Sequence, residues 1–418
     1  MKTNILFKIL NIRYLIFIWL LFSFNVNSQT LNDYLSIATK NNPQVKAAYT
    51  EFEAAMQKSP QVSSLPDPSL TMSAFGRMVE TRVGSQEARF SLMQMFPWFG
   101  TLTAKENAAN LIAEATFQKY IDKKNEVSLE LKKMYAELYE LNQMIQLEED
   151  NLQILDSYRE LALSKFSNGK GAMVDVVRID IKRNESATNI QLLKDQNQPL
   201  KFAFNSLLNR ELSETIQIPN SLFFSKNKSH GNIDSLFASN PKLLLLDKKI
   251  ASYEAQVVIA KKEGYPMIGL GIDYSIISKR DIPDFEMNGQ DAIMPMLTVT
   301  LPIFRKKYNA SKKEAELMVA ATNYEKQAVK NNIQASYSMA DYNLQKAIKL
   351  KKLYKNQLES TQQAIKLLIA AYSNSGTAFE EILRMNQDLL MLETATVTAN
   401  KNEFTAQAQI DYLLSKDE

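Results

Sequence analysis

Two long stretches of the chain carry apolar residues at helical spacing without a helix breaker. No glycine or proline occurs between Gly100 and Gly169 or between Pro302 and Gly376. Both stretches are rich in Ala, Leu, Lys, Glu and Gln, which lose little side-chain freedom in a helix. At 1.5 Å per residue, unbroken helices of this size would be roughly 100–110 Å long. An average globular helix has about 11–12 residues, so the pattern predicts rods rather than globular helices.

A seven-residue repeat runs through both stretches and predicts supercoiled packing. In the first stretch it is formed by Leu131, Leu138, Ile145 and Leu152, interleaved with Met134, Leu141 and Leu155. In the second stretch it is formed by Leu344, Leu358, Ile365 and Tyr372. Glu148 interrupts the first pattern and Lys351 interrupts the second.

Each long stretch ends in a turn and is followed by a shorter helical segment. The turns are 166–171 and 372–376, and the predicted return helices run from Ala172 to about residue 210 and from Thr377 to about residue 414. Pro199 is expected to kink or break the first return helix, because proline removes a backbone donor and clashes with the preceding turn. The sequence therefore predicts two helical hairpins.

Each half also supplies a shorter helix upstream, near residues 43–58 and 241–263. The return arm of each hairpin is too short to cover the apolar side of its long partner. We therefore expect the upstream helix to stack end-on above the return helix and to complete the pairing.

Segments that alternate polar and apolar residues lie between the upstream helix and the long helix of each half. The clearest is 266–276, where Ile268, Leu270, Ile272, Tyr274 and Ile276 face one side and Gly269, Gly271, Asp273 and Ser275 the other. Residues 296–301 also alternate, and residues 70–75 and 89–95 do so more roughly. Such segments are typical of membrane barrel strands, but a half-buried strand of a soluble sheet has the same pattern. The pattern alone leaves both interpretations open.

The two halves are copies of one another. Pro97 and Phe99 match Pro302 and Phe304 at an offset of 205 residues, and the turn residues match at 206. This spacing indicates a tandem duplication. The predicted parts are a signal peptide at 1–28, a first repeat at 29–212, a polar linker at 213–231 and a second repeat at 232–418.

The first 28 residues have the composition of a secretory signal peptide. Lys2, Lys8 and Arg13 form a positive region that precedes the apolar run 14–24. That run is short for a membrane span of about 20 residues, so we expect cleavage before Gln29; a retained anchor is the alternative. No later stretch approaches eighteen consecutive apolar residues, and a secreted chain without a helical span can still enter an outer membrane as a β-barrel.

Charge and residue usage argue against several functions. The net charge of +3 equals the charge of the signal segment, so the mature chain is neutral and gives no case for nucleic-acid binding. The chain has no Cys and a single His, His230, which lies in a polar stretch and is interpreted as a linker residue. No phosphate-binding loop or zinc-ligand spacing occurs. The sequence therefore predicts a protein that is not an enzyme and that binds no cofactor or metal.

The order of these elements resembles that of the TolC-type outer-membrane efflux proteins. A short helix introduced by Asn-Pro, at Asn42-Pro43 and Asn240-Pro241, a strand pair and a hairpin with a glycine at its tip occur twice after a signal peptide. The resemblance covers essentially the whole mature chain. Residues 65–68, 80–84 and 96–100 look closest to the heavy-metal branch of the family, the Czc/Cus type. The 17 Met residues do not support that branch independently, because they are spaced like core residues.

The resemblance implies a mainly α fold with a small β part that works as a homotrimer. Three protomers of four strands each would close a twelve-stranded barrel in the outer membrane, and the helices would form a periplasmic tunnel. Four strands cannot close a barrel, and open strand edges are not tolerated in lipid. The implied function is a passive exit duct for substrates that an inner-membrane pump delivers through a periplasmic adaptor protein. Heavy-metal cations, or alternatively drugs and other small molecules, would be the substrates.

The resemblance also implies functional residues at the hairpin tips. Adaptor docking would involve Gly169, Lys170, Gly171, Ser375, Gly376 and Thr377. Asp175 and Glu381 match acidic positions that narrow the channel entrance in the family, whereas Arg178 and Arg384 stand where a second acid can follow. In a trimer these four residues would form an electrostatic latch; an ordinary salt bridge between residues three apart is the alternative.

The predicted strands carry the remaining candidates. The residues expected to face the barrel lumen are Asp273, Ser275, Thr298 and Thr300. Trp98 is expected in an interfacial aromatic belt, and Phe99 is expected to pack against the start of the long helix. The alternative function is a structural periplasmic coiled-coil protein whose strands form a small soluble sheet.

Overall fold

The computed structural model describes residues 30–218, 221–222, 237–282, 286–375 and 379–415. The predicted signal peptide, part of the predicted linker, His230, and the tip residues Gly376 and Thr377 lie outside the described residues. Along the chain the described elements are α1 (Leu31–Asn41), α2 (Pro43–Met56), α3 (Lys58–Ser63), β1 (Ser69–Thr81), β2 (Gly84–Phe96), α4 (Thr101–Ser167), α5 (Met173–Leu208), α6 (Pro241–Glu263), β3 (Ile268–Ser278), β4 (Ala292–Val299), α7 (Arg305–Ser375) and α8 (Phe379–Leu413). The predicted fold class, mainly α with four strands, is confirmed.

The two stretches without helix breakers form continuous helices, as predicted. Helix α4 has 67 residues and α7 has 71, whereas the return helices α5 and α8 have 36 and 35. At the end of α4, Gly169 adopts a left-handed φ of 70°, and the amides of Gly169 and Lys170 donate to the carbonyls of Phe166 and Lys165, both at 2.9 Å. This geometry ends a helix through a residue without a Cβ, so the glycine in the turn sets the length of the outgoing arm.

The expected break at Pro199 is absent. Helix α5 runs from Met173 to Leu208 with Pro199 in its interior. Two residues earlier, Asn197 Nδ2 donates to Asn142 Oδ1 of α4 at 3.4 Å. A proline removes one backbone hydrogen bond and costs about 3 kcal/mol in a helix interior, and packing along the neighbouring long helix offsets that cost.

The chain divides into two compact units. The first comprises Met1–Asn42, Glu130–Phe224 and Ala347–Thr405, and the second comprises Pro43–Leu129, Ser225–Lys346 and Ala406–Glu418. Helices α4, α7 and α8 therefore contribute residues to both units. None of the helices in the described ranges combines the length and the apolar character that crossing a membrane requires.

Polar residues that interrupt the seven-residue repeat are paired inside the first unit. Ser186 Oγ donates to Glu148 Oε2 at 2.7 Å, and Asn189 Nδ2 donates to Glu148 Oε1 at 3.2 Å. Lys351 Nζ lies 2.5 Å from Glu403 Oε2. Each interrupting side chain thus meets a partner on a return helix, which favours one helix register over the alternatives.

A buried polar layer, formed by Asn151, Ser186 and Asn386, joins three helices of the first unit. Asn386 Nδ2 of α8 donates to Asn151 Oδ1 of α4 at 2.8 Å, and Asn151 Nδ2 donates to Ser186 Oγ of α5 at 3.4 Å. All three side chains are buried. Buried polar groups without partners are costly, so this layer ties the second return helix to the first hairpin in one alignment.

In the second unit, α6 begins where α8 ends. Asn240 Oδ1 accepts a hydrogen bond from the amide of Lys242 at 3.0 Å, and Asn240 Nδ2 donates to the carbonyl of Leu413 at 2.9 Å. The predicted end-on stacking is therefore present in the second repeat. In the first unit Asn42, the matching residue of the first repeat, donates to the carbonyl of Leu207 at 2.9 Å, near the end of α5.

The strands form one antiparallel sheet in the order β1-β2-β3-β4. They are longer than predicted at their turn ends, and β4 stops at Val299, so Thr300 and Leu301 lie beyond it. Thr300 Oγ1 accepts from the amide of Met267 at 2.8 Å, and the Thr300 amide donates to the carbonyl of Met267 at 3.0 Å. The edges of β1 and β4 carry no strand partner within the described residues.

We expect Asn240→Ala to lower the free energy of unfolding by about 1–2 kcal/mol, because it removes a helix cap and leaves the Leu413 carbonyl without its donor. The measurement is denaturant unfolding of the purified chain in detergent. Asn309→Ala is the matched control, since Asn309 is exposed on α7 and should change stability by only a few tenths of a kcal/mol. Equal effects of the two substitutions would contradict the role of Asn240.

Candidate functional site

Strand β3 buries its polar side chains and exposes its apolar ones. Asp273 and Ser275 are buried, at 2% and 7% exposure, whereas Leu270 and Ile272 are 54% and 55% exposed. Water-soluble proteins normally bury their apolar side chains and expose their polar ones, because transfer of apolar surface out of water is favourable. The strand therefore has one polar and one apolar face, as predicted, and the apolar face is the exposed one.

The exposed apolar face, the outer sheet face, continues across all four strands. Residues paired directly across antiparallel strands share one face of a sheet, and the pairing aligns Leu70, Leu92, Ile272 and Pro295 in one row and Met72, Phe90, Tyr274 and Ile293 in the next. Exposed apolar side chains of this face include Leu70, Met72, Leu92, Leu270, Ile272, Ile293 and Leu297. Soluble monomers rarely expose contiguous apolar patches beyond a few hundred Å², so this surface calls for an apolar partner.

The opposite face, the inner sheet face, contains most of the residues predicted to face a lumen. Asp273 and Ser275 lie on it, and Thr298 joins them because it pairs with Gly269. Thr300 lies past the end of β4 and belongs to no strand row. The carboxylate of Asp273 is covered rather than open, since it accepts hydrogen bonds from both Arg89 and Ser91 on β2.

Arg89 and Ser91 are inner-face residues that the sequence pattern did not single out. Arg89 forms an ion pair with Asp273 and is itself 40% exposed. Its Nε has no hydrogen-bond partner among the described residues. The pair joins strands from the two repeats, 184 positions apart, so the only available signal was the position of Arg89 on a strand with rough alternation.

The turn between α4 and α5 presents the predicted tip residues. Residues 168–170 are exposed, and a Cβ placed on Gly169 would meet no atom within 4 Å. Gly171 has no such room, because a Cβ there would lie 3.0 Å from the Lys165 Cβ and 3.2 Å from the Phe166 amide nitrogen. Ser375 ends α7 in the second hairpin.

The charged residues near the tips do not pair in the same way in the two repeats. Arg178 Nη1 lies 2.9 Å from Glu380 Oε2 of α8 and 4.0 Å from Asp175 Oδ1 of its own helix. Arg384 instead pairs with Glu381 on its own helix, with Nε 3.2 Å from Oε2, and the hydrogen bond to Glu381 raises the pKa of Arg384. The first-repeat arginine thus links two hairpins, whereas the second forms the predicted local salt bridge.

Lys165 is a second link between the hairpins, and its role was missed at the sequence level. Its Nζ donates to the carbonyls of Tyr372 and Ser373 at 3.0 and 2.8 Å and lies 5.3 Å from the centre of the Tyr372 ring. Burial, with a smaller contribution from the charge of Asp175, raises the pKa of Tyr372. A cation at this place satisfies the last carbonyls of α7 and matches the negative end of its dipole.

A buried apolar cluster lies behind these charges. It consists of Leu155, Tyr158, Ala162, Val176, Ile179, Tyr372, Phe379, Ile382 and Leu383. Phe379 stacks edge-on against Tyr158 at 5.9 Å and lies 5.0 Å from the Tyr372 ring. Both hairpins contribute to this cluster, so each tip is supported by the other.

Trp98 and Phe99 occupy the passage from β2 to α4. Trp98 stacks on Tyr265 with ring centres 5.2 Å apart. Phe99 is 78% exposed, so the expectation that it packs against the helix start is wrong. The Phe99 carbonyl accepts a hydrogen bond from Lys262 Nζ at 3.1 Å, which fixes the backbone there while the ring points outward.

Within the described residues, no group of three or more His, Cys, Asp or Glu side chains is arranged to hold a metal ion. The polar groups of the inner sheet face and of the tips are engaged mainly with one another. The arrangement supports ion pairing and helix docking.

The fold is that of solved outer-membrane channels. Neither the family models nor the curated proteins compared with this chain match it by sequence. The outer membrane protein VceC of Vibrio cholerae has a TM-score of 0.75 at 17% identity, with 92% of this chain and 95% of that chain covered. CusC has a TM-score of 0.77 at 14% identity, covering 92% and 91%. The open-state MtrE channel of Neisseria gonorrhoeae has a TM-score of 0.73 at 15% identity, covering 92% and 88%.

We expect Lys165→Ala to loosen the last turn of α7, because two terminal carbonyls lose a charged donor. Amide hydrogen exchange over residues 369–373 should become about five- to tenfold faster, which corresponds to the roughly 1 kcal/mol of a partly exposed charge-assisted bond. Lys170→Ala is the control, since that exposed side chain makes no contact of this kind among the described residues. Unchanged exchange in Lys165→Ala would show that the bond is not formed in solution.

Proposed function

We propose that the chain is an outer-membrane channel subunit of the TolC type that extends into the periplasm of a Gram-negative bacterium. The observation that carries this proposal is the outer sheet face, which exposes Leu270, Ile272 and their neighbours while Asp273 and Ser275 are covered. An apolar exterior over a polar interior is the arrangement of a barrel wall in lipid. The named channels of the same fold support the same function.

Three copies of the chain would complete the wall. One copy supplies four strands and leaves β1 and β4 as edges, and unpaired backbone groups are too costly to expose in hydrocarbon. Three copies give twelve strands, enough to surround a lumen. The exposed apolar residues of α5, including Val174, Val177 and Ile181, would be covered by the neighbouring copy in the same assembly.

The proposed activity is passive conduction, with no reaction catalysed by this chain. An inner-membrane pump would supply the energy, and a periplasmic adaptor protein would dock at the tips formed by Gly169–Gly171 and by residues 375–377. The sequence of residues 65–68, 80–84 and 96–100, which resembles the heavy-metal branch, favours metal cations as substrates. Drugs and other small molecules are the alternative, because the solved channels share the fold to a similar degree.

The alternative of a structural coiled-coil protein with a soluble sheet is disfavoured by the same sheet. Such a protein would bury Leu92 and Ile272 and expose Asp273, yet Leu92 and Ile272 are more than half exposed and Asp273 is buried. Covering the outer sheet face in water would require a partner of comparable apolar area.

We expect Ile272→Lys to prevent insertion into the outer membrane. A lysine near the middle of a lipid-facing barrel wall costs about 2–4 kcal/mol, and three copies would carry three of them. The measurement is the yield of heat-modifiable trimer in the outer-membrane fraction. Ser73→Lys is the matched control, because Ser73 is exposed on the inner sheet face and should tolerate the charge.

Normal trimer yield from Ile272→Lys would exclude the outer sheet face as the lipid contact. A soluble protein would tolerate that substitution, since Ile272 is already more than half exposed. Recovery of the unaltered chain as a soluble periplasmic monomer would reject the proposed function as a whole.

A second test concerns the tip charges, Asp175, Arg178, Glu381 and Arg384. We propose that in the trimer they surround the channel entrance as an electrostatic latch, to which Glu380 contributes through its 2.9 Å ion pair with Arg178. We expect the double substitution Asp175→Ala and Glu381→Ala to change single-channel conductance and to shift selectivity towards anions, because it removes six negative charges from the ring. Glu185→Ala, on the exposed side of α5, is the control; unchanged conductance and selectivity in the double variant would reject the latch.

A further inference from the structure

The passage from β4 to α7 is unusually apolar for an exposed segment. Leu301, Ile303 and Phe304 are 71%, 69% and 80% exposed, and Phe99 at the matching passage of the first repeat is 78% exposed. These side chains directly follow β4 and β2 in sequence, at the end of the sheet where the strands lead into the long helices. A run of this kind points to continued contact with an apolar medium.

Cations follow these apolar residues immediately. Residues 305–313 contain Arg305, Lys306, Lys307, Lys312 and Lys313 and no carboxylate. Arg305 Nη1 donates to the Gly264 carbonyl at 2.7 Å, and Lys312 reaches Glu316 at 3.4 Å. Lys306, Lys307 and Lys313, here called the basic collar, are exposed and form no ion pair with a described residue.

The basic collar stands where the fold itself opposes positive charge. Helix α7 begins at Arg305, and the first turn of a helix carries a partial positive charge that disfavours cations. Lys326, further along the helix, is placed differently, because its Nζ lies 2.5 Å from Asp247. The described contacts offer the collar little compensation, since Lys307 Nζ only approaches the ring of its neighbour Tyr308 at 5.8 Å, and an anion outside the chain would supply the rest.

We propose that the basic collar binds the headgroups of anionic phospholipids in the membrane leaflet next to the helices. This inference rests on the proposed function, because it takes the outer sheet face to lie in lipid. Leu301, Ile303 and Phe304 then reach the edge of the hydrocarbon, and the cations, which follow Phe304 by two to nine residues, lie at the depth of the headgroups. Polybasic segments next to a membrane-embedded surface attract anionic lipid in this way.

Trp98 provides a local reporter for this lipid. It stacks on Tyr265, the residue after Gly264, whose carbonyl accepts from Arg305. The chain has two tryptophans, Trp19 and Trp98, and Trp19 lies in the predicted signal peptide. A Trp19→Phe background therefore leaves Trp98 as the single emitter whether or not the signal is removed.

The experiment measures quenching of Trp98 by lipids with brominated acyl chains. The full chain is reconstituted in vesicles of phosphatidylethanolamine and phosphatidylglycerol, with bromine on one lipid or on the other at equal total composition. We expect brominated phosphatidylglycerol to quench at least about twofold more per mole, because the collar enriches it near Trp98. Salt at about 1 M should remove most of the difference, since the Debye length falls to about 3 Å.

The triple variant Lys306→Gln, Lys307→Gln and Lys313→Gln should bring the quenching ratio of the two lipids to about one. The matched control removes the same charge from the same helix through Lys346→Gln, Lys349→Gln and Lys352→Gln, three exposed lysines, and should keep the preference. Equal quenching in the unaltered chain, or an undiminished preference in the triple variant, would overturn the inference and leave the channel proposal intact. Absence of quenching by either lipid would show that the sheet does not enter the bilayer, and would overturn both.

Discussion

A sheet whose apolar side chains point outward, and whose first and last strands lack neighbours, cannot be stable alone in water. The outer sheet face needs an apolar medium, and the edges of β1 and β4 need further strands, because neither oily surface nor unpaired backbone can be left exposed at low cost. A closed wall made from several copies in lipid meets both requirements at once. The pairing of Asp273 with Arg89 and Ser91 fits the same arrangement, since charges on the covered face must be neutralised there.

The two repeats have the same order of elements but differ in some of their side-chain contacts. Both repeats place an asparagine before the upstream helix, and both use it to bind the last turn of a return helix. At the tips the repeats diverge: Arg178 reaches across to Glu380, Arg384 keeps to Glu381, and Lys165 caps the opposite helix. The tip contacts therefore differ between the two repeats, and some of them join one repeat to the other.

The sequence predicted the helices, the strand pairs and the end-on stacking, because these follow from local composition and from the position of glycine and proline. Helix α5 persisted through Pro199 because long-range packing outweighed a local preference, which a single sequence does not reveal. The sequence also did not show which face of the strands is exposed, since alternation defines two faces without indicating which one is covered.

The sequence predicted the positions of several candidate site residues but not most of the residues with which they interact. Asp175, Arg178, Glu381 and Arg384 were found through the family resemblance, yet Glu380, Lys165 and Arg89 were not. Their partners lie on other elements, between about 180 and 210 positions away along the chain for Lys165 and Arg89, and only the folded arrangement brings them together. Phe99 was misjudged because a large apolar side chain next to a helix start normally packs inward, whereas this ring is 78% exposed; contact with lipid, as proposed above, would account for the reversal.

The polar layer of Asn151, Ser186 and Asn386 limits how the helices of the first unit can move. Shifting one helix along another by one seven-residue repeat would displace it by about 10 Å and would leave at least one buried amide without a partner. Sliding these helices along their axes would therefore cost free energy. A movement at the hairpin ends that keeps this layer paired must therefore leave the axial alignment of the three helices unchanged.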